Sequence, residues 1–178
     1  EATIRRDIAA LHVQKRPRRV RGGAEALHPP QFVGLAGRPF TVNETLNTRQ
    51  KQAIAKEAVG LCEDGDPIII NGGTTTLALA KHLATKRGLV VVTNSLPLPP
   101  ELYARGAREI YLIGGSYRLR SQVTIGPVAL SDGAGTPRSI HANWAIIGVG
   151  GVSEDGAVWT SSLPEAGMMR SMMDRASH

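Results

Sequence analysis

Residues 67–76 read Pro-Ile-Ile-Ile-Asn-Gly-Gly-Thr-Thr-Thr, an apolar run that ends in a turn of glycines and threonines. Such a short run of β-branched residues is typical of a strand whose two faces are both buried. Beyond the turn, Leu77, Ala80 and Leu83 recur at helical spacing. These residues therefore predict a buried strand, a tight turn and a helix, which together make one unit of an α/β fold.

The same alternation of apolar runs and helical patterns recurs on both sides of this unit. In the first helical stretch, Ile54 and Ala58 are expected to share one side. Wholly apolar strands that alternate with helices predict a mainly parallel sheet, whose ligands bind at the carboxyl ends of the strands. The predicted strands are residues 67–71, 89–93, 109–113 and 144–149, and the predicted helices are residues 43–61, 77–83, 98–105 and a last one from Pro164.

The turn after the first strand has the composition of an anion cradle. Two glycines allow a ligand to approach the backbone, and the following helix N-terminus supplies unpaired N–H groups and a positive dipole end. The threonines offer hydroxyl donors, although a plain turn with one threonine cap is the alternative. The turn matches neither a P-loop nor the GxGxxG fingerprint. The predicted cradle, suited to a phosphate, consists of Asn71, Gly72, Gly73, Thr74, Thr75 and Thr76.

Further candidate ligand-binding residues follow the other strands or begin the last helix. Asn and Ser side chains can bind sugar hydroxyls or simply form a turn. A guanidinium pairs well with phosphate or lies on a solvated face. Glu165 either caps the last helix through the helix dipole or accepts hydrogen bonds from ligand hydroxyls. These candidates are Thr93, Asn94, Ser95, Gly114, Gly115, Arg118, Gly150 and Glu165.

The basic residues are concentrated at the start of the chain. The 178 residues carry a net charge of +6, of which residues 1–30 carry +4 and the remaining 148 residues +2. A concentrated basic segment beside a near-neutral body indicates a polyanion-binding element, a solvated basic helix or a disordered tail. Prolines and glycines between residues 28 and 42 indicate a linker. The expected divisions are therefore a basic segment 1–27, a linker 28–42 and an α/β domain 43–178.

The composition also excludes several classes of protein. A single cysteine, Cys62, cannot form an internal disulfide, fits a cytoplasmic protein and is expected to be a buried structural thiol. No apolar run is long enough to span a bilayer, so no membrane partner is expected. The five histidines have no metal-ligand spacing, and no nucleophile motif is present. The sequence thus predicts no metal, no cofactor and no catalytic residue.

Two sets of motifs resemble the DeoR family of bacterial regulators. The first set is the helical Thr3-Ile4-Arg5-Arg6-Asp7-Ile8 and the basic strand 18–24, which ends at a glycine turn. The second set follows in the family's order through the rest of the chain. It comprises Lys51-x-x-Ile54-Ala55, Asp64-Gly65-Asp66, Gly73-Thr74-Thr75-Thr76, Val92-Thr93-Asn94-Ser95, Leu112-Ile113-Gly114-Gly115, Gly126-Pro127, Gly148-Val149-Gly150-Gly151 and Glu165-Ala166.

This resemblance implies a transcriptional regulator of carbohydrate metabolism, expected to be a repressor. The start of the chain would be part of a winged helix-turn-helix. The α/β domain would be a Rossmann-like sensor, similar to ribose-5-phosphate isomerase and glucosamine-6-phosphate deaminase and incomplete at its C-terminal end. It would bind a phosphorylated sugar or related metabolite, and the full-length protein would form a homo-oligomer. Operator DNA would contact Thr3, Arg5 and Arg6 of the recognition helix and Arg18, Arg19 and Arg21 of the wing.

Three residues depart from the family pattern at what is expected to be the ligand edge. The family commonly carries Asp at the positions of Asn71 and Asn143, and Lys at the position of Met169. One interpretation is an altered effector that depends less on a lysine. The other is that Met169 is a packing residue of the last helix and that Arg170 supplies any cation that the ligand needs.

A second hypothesis is an enzyme of the same fold, a sugar-phosphate isomerase or deaminase. The Arg-Arg-Asp helix and the Gly-Gly-Ala wing favour the regulator, as does the lack of carboxylates at Asn71 and Asn143, since proton transfer needs such groups. A nucleotide-binding domain is a weaker hypothesis, because no acidic residue follows the Gly/Thr turn at the spacing that would hold a ribose.

Overall fold

The computed structural model describes residues 17–20, 23–26, 38–104, 106–131, 137–160 and 162–178. The chain divides into two compact units, residues 1–37 and residues 38–178. Four of the predicted DNA-contacting residues, Thr3, Arg5, Arg6 and Arg21, lie outside the described residues.

In the first unit, strands β1 (Pro17–Val20) and β2 (Gly23–Ala26) pair as an antiparallel hairpin. Arg18 lies opposite Glu25, and Arg19 lies opposite Ala24. The predicted basic strand is present, and a second strand follows it. The interpretation of this hairpin as a DNA-binding wing stays a prediction that rests on the family resemblance.

The second unit alternates helices and strands. Its helices are α1 (Phe40–Thr45), α2 (Thr48–Val59), α3 (Thr74–His82), α4 (Leu98–Tyr103) and α5 (Leu163–Met173). Its strands are β3 (Pro67–Ile70), β4 (Val90–Thr93), β5 (Glu109–Leu112), β6 (Ser116–Arg118), β7 (Val123–Ile125), β8 (Leu130–Ser131), β9 (Pro137–Arg138), β10 (Trp144–Ile146), β11 (Gly151–Val152) and β12 (Val158–Trp159).

Four parallel strands form the central sheet in the order β10-β3-β4-β5, which confirms the predicted α/β class. The strands β6–β7, β8–β9 and β11–β12 pair as short antiparallel hairpins. The last residues of the chain bond to the outer side of β10, where the Ala145 N–H donates to the carbonyl of His178 (2.8 Å). The central sheet thus positions the loops that follow its strands.

Both faces of the sheet are covered, as the wholly apolar strands predict. On one face, Ile68 and Ile70 pack with helices α1 to α4. On the other face, Ile69 packs with Met168 and Met172 of α5. The alternation of neighbouring isoleucines between two cores explains why no polar residue interrupts this strand.

The predicted single helix 43–61 is wrong, because two helices occupy this stretch. The helical region begins at Phe40, which is buried, and it breaks at Asn47, whose backbone is left-handed with φ 51°. The predicted face is also wrong for Ile54, which is 55% exposed. The buried side of α2 instead carries Lys51 and Ala55, four residues apart on one helical stripe.

The prediction for Cys62 is confirmed, since the thiol is fully buried. Burial raises its pKa, and the nearby Asp66 raises the pKa further. In the described part of the chain, no helix is long and apolar enough to cross a membrane. Within the same residues, no cluster of His, Cys, Asp or Glu is placed to hold a metal ion.

Candidate functional site

The carboxyl ends of the parallel strands bring four predicted site segments to one edge of the sheet. Residues 71–73 follow β3, residues 94–95 follow β4, residues 113–115 follow β5 and residues 147–150 follow β10. Helix α3 begins at Thr74, directly after the first of these loops. Ligands of parallel sheets bind at this edge, so these loops form the candidate site.

Asn71 connects the loop after β3 to the loop after β10. It is 2% exposed, and its Oδ1 accepts a hydrogen bond from the Gly148 N–H (2.7 Å). Its Nδ2 donates to the Gly148 carbonyl (2.8 Å). An amide can make both bonds, whereas an ionised carboxylate can only accept. Asn71 therefore positions the loop and does not offer its side chain to a ligand.

Asn94 has the same kind of role between β4 and β7. Its Oδ1 accepts from the Gly72 N–H (2.8 Å), and its Nδ2 donates to the Thr124 carbonyl (2.8 Å). The side chain is 1% exposed. Because Gly72 N–H is bonded to Asn94, this N–H is not a donor for an anion. The sequence indicated that Asn94 lies at the edge, but it could not show that Thr124 is its partner.

Two predicted threonines also stabilise the turn. The Thr76 hydroxyl donates to the carbonyls of Asn71 (2.8 Å) and Gly73 (3.0 Å). The Thr93 hydroxyl accepts from the Ser95 N–H (3.1 Å). Thr76 is 3% exposed, and Thr93 is fully buried. Both hydroxyls thus have partners within the protein.

The donors that remain at this edge lie in the first turn of α3. The first helical hydrogen bond runs from the Leu77 N–H to the Gly73 carbonyl (2.9 Å), and no side chain caps the helix. The N–H groups of Thr74, Thr75 and Thr76 therefore have no partner inside the helix. The half-buried hydroxyls of Thr74 and Thr75 also make no hydrogen bond within the described part of the chain. This group of donors suits an anion.

Two of the predicted glycines are required by packing rather than by ligand approach. A Cβ on Gly72 would lie 2.1 Å from Cγ1 of Val123. Gly115 has φ +130°, and a Cβ there would lie 2.3 Å from the carbonyl oxygen of Ile125. Both glycines therefore allow β7 to lie close beneath the edge. Gly114, in contrast, faces open space.

Ser95 is an unexplained polar group next to this packing. It is fully buried, its Oγ has no hydrogen-bond partner among the residues that the structure describes, and its Cβ lies 3.3 Å from the position that a Gly72 Cβ would take. Leaving a buried hydroxyl unpaired costs about 1–3 kcal/mol. Such a hydroxyl needs an acceptor or donor from outside the described residues, for which an ordered water or a ligand is suited.

The remaining predicted site residues, Arg118, Gly150 and Glu165, lie on other elements of the fold. Arg118 is exposed on β6. The Gly150 N–H donates to the carbonyl of Trp159 (2.7 Å), so Gly150 supports the β11–β12 hairpin. Glu165 is in the first turn of α5 and accepts a hydrogen bond from the Thr160 hydroxyl. The sequence did not indicate Thr160, since only the fold brings it beside Glu165.

Of the three residues that depart from the family pattern, Asn143 lies elsewhere than expected, and the burial of Met169 decides between its two interpretations. Asn143 precedes β10 at the amino ends of the strands, where its Nδ2 donates to Oδ1 of Asp66 (2.6 Å). Its placement at the ligand edge was therefore wrong. Met169 is 4% exposed and Arg170 is exposed, so Met169 packs inside as the second interpretation proposed.

A separate open cleft of about 590 Å³ lies over the amino half of the sheet. It is lined by the first residues of three strands, Pro67, Val90 and Glu109, and by residues 139–142. None of the predicted effector-binding residues lines it. Its apolar floor and the carboxylate of Glu109 do not suit a phosphate, so the carboxyl edge is the better anion site.

Residues 46–178 match the family model described as the DeoR C terminal sensor domain. The chain is 30% identical to the transcriptional repressor AccR of Agrobacterium fabrum, over 99% of this chain and 66% of that protein. It is 32% identical to the HTH-type transcriptional repressor CsqR of Escherichia coli, over 98% and 63%. It is 35% identical to the HTH-type transcriptional repressor GlcR of Bacillus subtilis, over 96% and 62%.

The chain thus spans slightly less than two thirds of the length of these relatives. The parallel sheet, the loops at its carboxyl edge and the matched family model agree with one another over residues 46–178. This chain belongs to the DeoR family and carries its C-terminal sensor domain.

Proposed function

We propose that this chain is the effector-sensing part of a transcriptional repressor of carbohydrate metabolism, and that a phosphorylated sugar or related metabolite controls its binding to operator DNA. The observation that carries the proposal is the first turn of α3, where N–H groups and the hydroxyls of Thr74 and Thr75 converge without partners in the described residues. The relatives named as repressors support the regulatory role.

In this site, phosphate oxygens accept hydrogen bonds from the N–H groups of residues 74–76 and from the two free threonine hydroxyls. The positive end of the helix dipole favours the negative charge. Glu165 still has lone pairs beyond the bond from Thr160, so it can accept a hydrogen bond from a sugar hydroxyl.

The DNA-binding part of the proposal rests on the family resemblance. Arg5 and Arg6 of the recognition helix read base edges, with Thr3 beside them, while Arg18, Arg19 and Arg21 of the wing contact phosphates. The full-length protein is proposed to be a cytoplasmic homo-oligomer, since helix-turn-helix dimers bind paired half-sites. Alanine variants of Arg5 and Arg6 should lose operator affinity, and specificity should relax if either residue reads a base.

We propose no catalytic step at this site. Asn71 and Asn94 follow β3 and β4 directly, and an amide cannot take up or release the proton that sugar isomerisation requires. The alternative, a sugar-phosphate isomerase or deaminase, is tested by incubating the full-length protein with pentose and hexose phosphates. Turnover above the uncatalysed rate would overturn the regulatory proposal.

The direct test is a thermal-shift screen of the full-length protein against sugar phosphates and the corresponding unphosphorylated sugars. We expect stabilisation only by phosphorylated compounds, because binding to the folded state alone raises the melting temperature. Thr75→Val should reduce the shift by removing one hydroxyl donor. Thr85→Val, which removes an exposed hydroxyl beyond the other end of α3, is the matched control and should leave the shift unchanged. Stabilisation that ignores the phosphate would contradict the cradle assignment.

A further inference from the structure

We propose that the β6–β7 hairpin couples occupancy of the α3 cradle to helix α1, the first helix after the unit formed by residues 1–37. This inference rests on the proposed function, because it concerns how a ligand at the cradle affects the DNA-binding part. The cradle is here the loop 71–73 with the first turn of α3, and the hairpin is residues 116–125.

The first contact in this connection joins the cradle to β7. Val123 packs so closely on Gly72 that only a glycine fits there. Asn94, which holds the Gly72 N–H, also exchanges backbone and side-chain bonds with Thr124, including Thr124 N–H to the Asn94 carbonyl (2.8 Å). A ligand that shifts residues 73–76 therefore also affects Gly72, which is in close contact with β7.

The second contact in this connection is made by the turn between the two strands of the hairpin. Gln122 has a left-handed backbone with φ 55°, and its N–H donates to the Arg118 carbonyl (2.8 Å). Its own carbonyl accepts from the Leu96 N–H (3.0 Å), beside the loop after β4. The turn is thus bonded both across the hairpin and to the edge of the sheet, so it moves together with β7.

The third contact joins this turn to the start of α1. The Phe40 N–H donates to the carbonyl of Arg120 (2.7 Å), and no side chain caps α1. A helix N-terminus needs acceptors for its unpaired N–H groups, and here the hairpin turn supplies one. Lys51 holds the other end of α1, since its ammonium donates to the carbonyl of Asn43.

These three contacts form a continuous path from Gly72 to Phe40. Phe40 lies three residues after Gly37, where the first unit ends. A coupling free energy between two sites needs an element whose position both sites affect, and the hairpin contacts both the cradle and α1. The turn reaches α1 through the backbone hydrogen bond from the Phe40 N–H to the Arg120 carbonyl.

The test uses hydrogen exchange of the full-length protein with and without saturating inorganic phosphate. Two variants of Gln122 form a matched pair. Gln122→Gly keeps the left-handed turn at no steric cost, whereas Gln122→Val strains it, because β-branched residues avoid positive φ. Exchange is followed in peptides covering residues 74–80 and residues 38–46. A second disrupting variant, Thr124→Val, replaces the Thr124 hydroxyl, which bonds to the Asn94 and Ile113 carbonyls, with a methyl group of similar shape. It serves if Gln122→Val does not fold.

We expect phosphate to slow exchange in residues 74–80 in every variant. In residues 38–46 it should slow exchange by about threefold or more in the unmodified protein and in Gln122→Gly, and by clearly less in Gln122→Val or Thr124→Val. A response of residues 74–80 without one in residues 38–46, or an equal response in all variants, overturns the coupling alone. No response of residues 74–80 in the unmodified protein overturns the cradle, and the coupling with it.

Discussion

The two edges of the central sheet are stabilised by opposite chemistry. At the amino edge, carboxylates accept from backbone N–H groups: Asp66 from Glu63 (2.7 Å) and Asp64 from Arg87 (2.9 Å). At the carboxyl edge, the amides of Asn71 and Asn94 each accept one bond and donate another. Amides are needed there because the loops present carbonyls as well as N–H groups.

This difference has a consequence for ligand binding. The carboxylates of Asp64 and Asp66 lie at the end of the sheet where no anion is expected. The loops around the first turn of α3 are held by neutral side chains, so they add no repulsion to a phosphate. The sensor can therefore be structurally stable and still attract an anion at one edge.

The sharpest test of this comparison removes the amide donor at each edge. Asn71→Asp should lower the free energy of unfolding by about 3 kcal/mol, because a buried carboxylate cannot donate to the Gly148 carbonyl. Asn143→Ala, at the exposed amino-edge position, should cost about 1 kcal/mol or less, since Asp66 keeps its bond from Glu63. Urea unfolding of both variants measures the difference.

The pH dependence of Asn71→Asp sharpens this result. Below the range in which carboxyl groups ionise, a protonated Asp at position 71 can again donate to Gly148, so part of the lost stability should return as the pH falls. Equal losses for the two variants, or a loss in Asn71→Asp that grows on acidification, would contradict the assigned roles of the two edges.

A second test concerns the close approach of β7 to the carboxyl edge. Gly72→Ala should lower the free energy of unfolding by about 1–3 kcal/mol, because its Cβ would overlap Val123. Gly114→Ala, whose Cβ meets nothing within 4 Å, is the control and should be nearly neutral. Combining Gly72→Ala with Val123→Ala should recover part of the loss, as contacting residues are not additive. Additive losses in the double variant would show that the packing argument is wrong.

The architecture could be predicted because the strands are wholly apolar, and this composition alone indicates that both of their faces are buried. The run of isoleucines before Asn71 needs no partner to be recognised as a doubly buried strand. The break at Asn47 was missed, since a left-handed asparagine in a polar helical stretch resembles any other polar position. The hydrogen bonds of Asn71 and Asn94 could not be predicted from the sequence, because Gly148 lies 77 residues from Asn71 and Thr124 lies 30 residues from Asn94. Asn143 was misplaced because the family pattern assigned it to the ligand edge, although it precedes the predicted strand 144–149 and therefore lies at the amino end.

The smallest expected effect concerns Cys62, which lies near Asp66 at the amino edge. Burial and the Asp66 charge raise the pKa of this thiol above its ordinary value near 9. The unfolded thiol therefore ionises first, so stability should fall slightly as the pH rises from that value towards the raised pKa, and Cys62→Ala should remove this slope. Because Cys62 is fully buried, a thiol reagent should modify it only at the rate at which the protein opens by local or global unfolding. Rapid modification under native conditions, at the rate of a free thiol, would show that this edge is open to solvent.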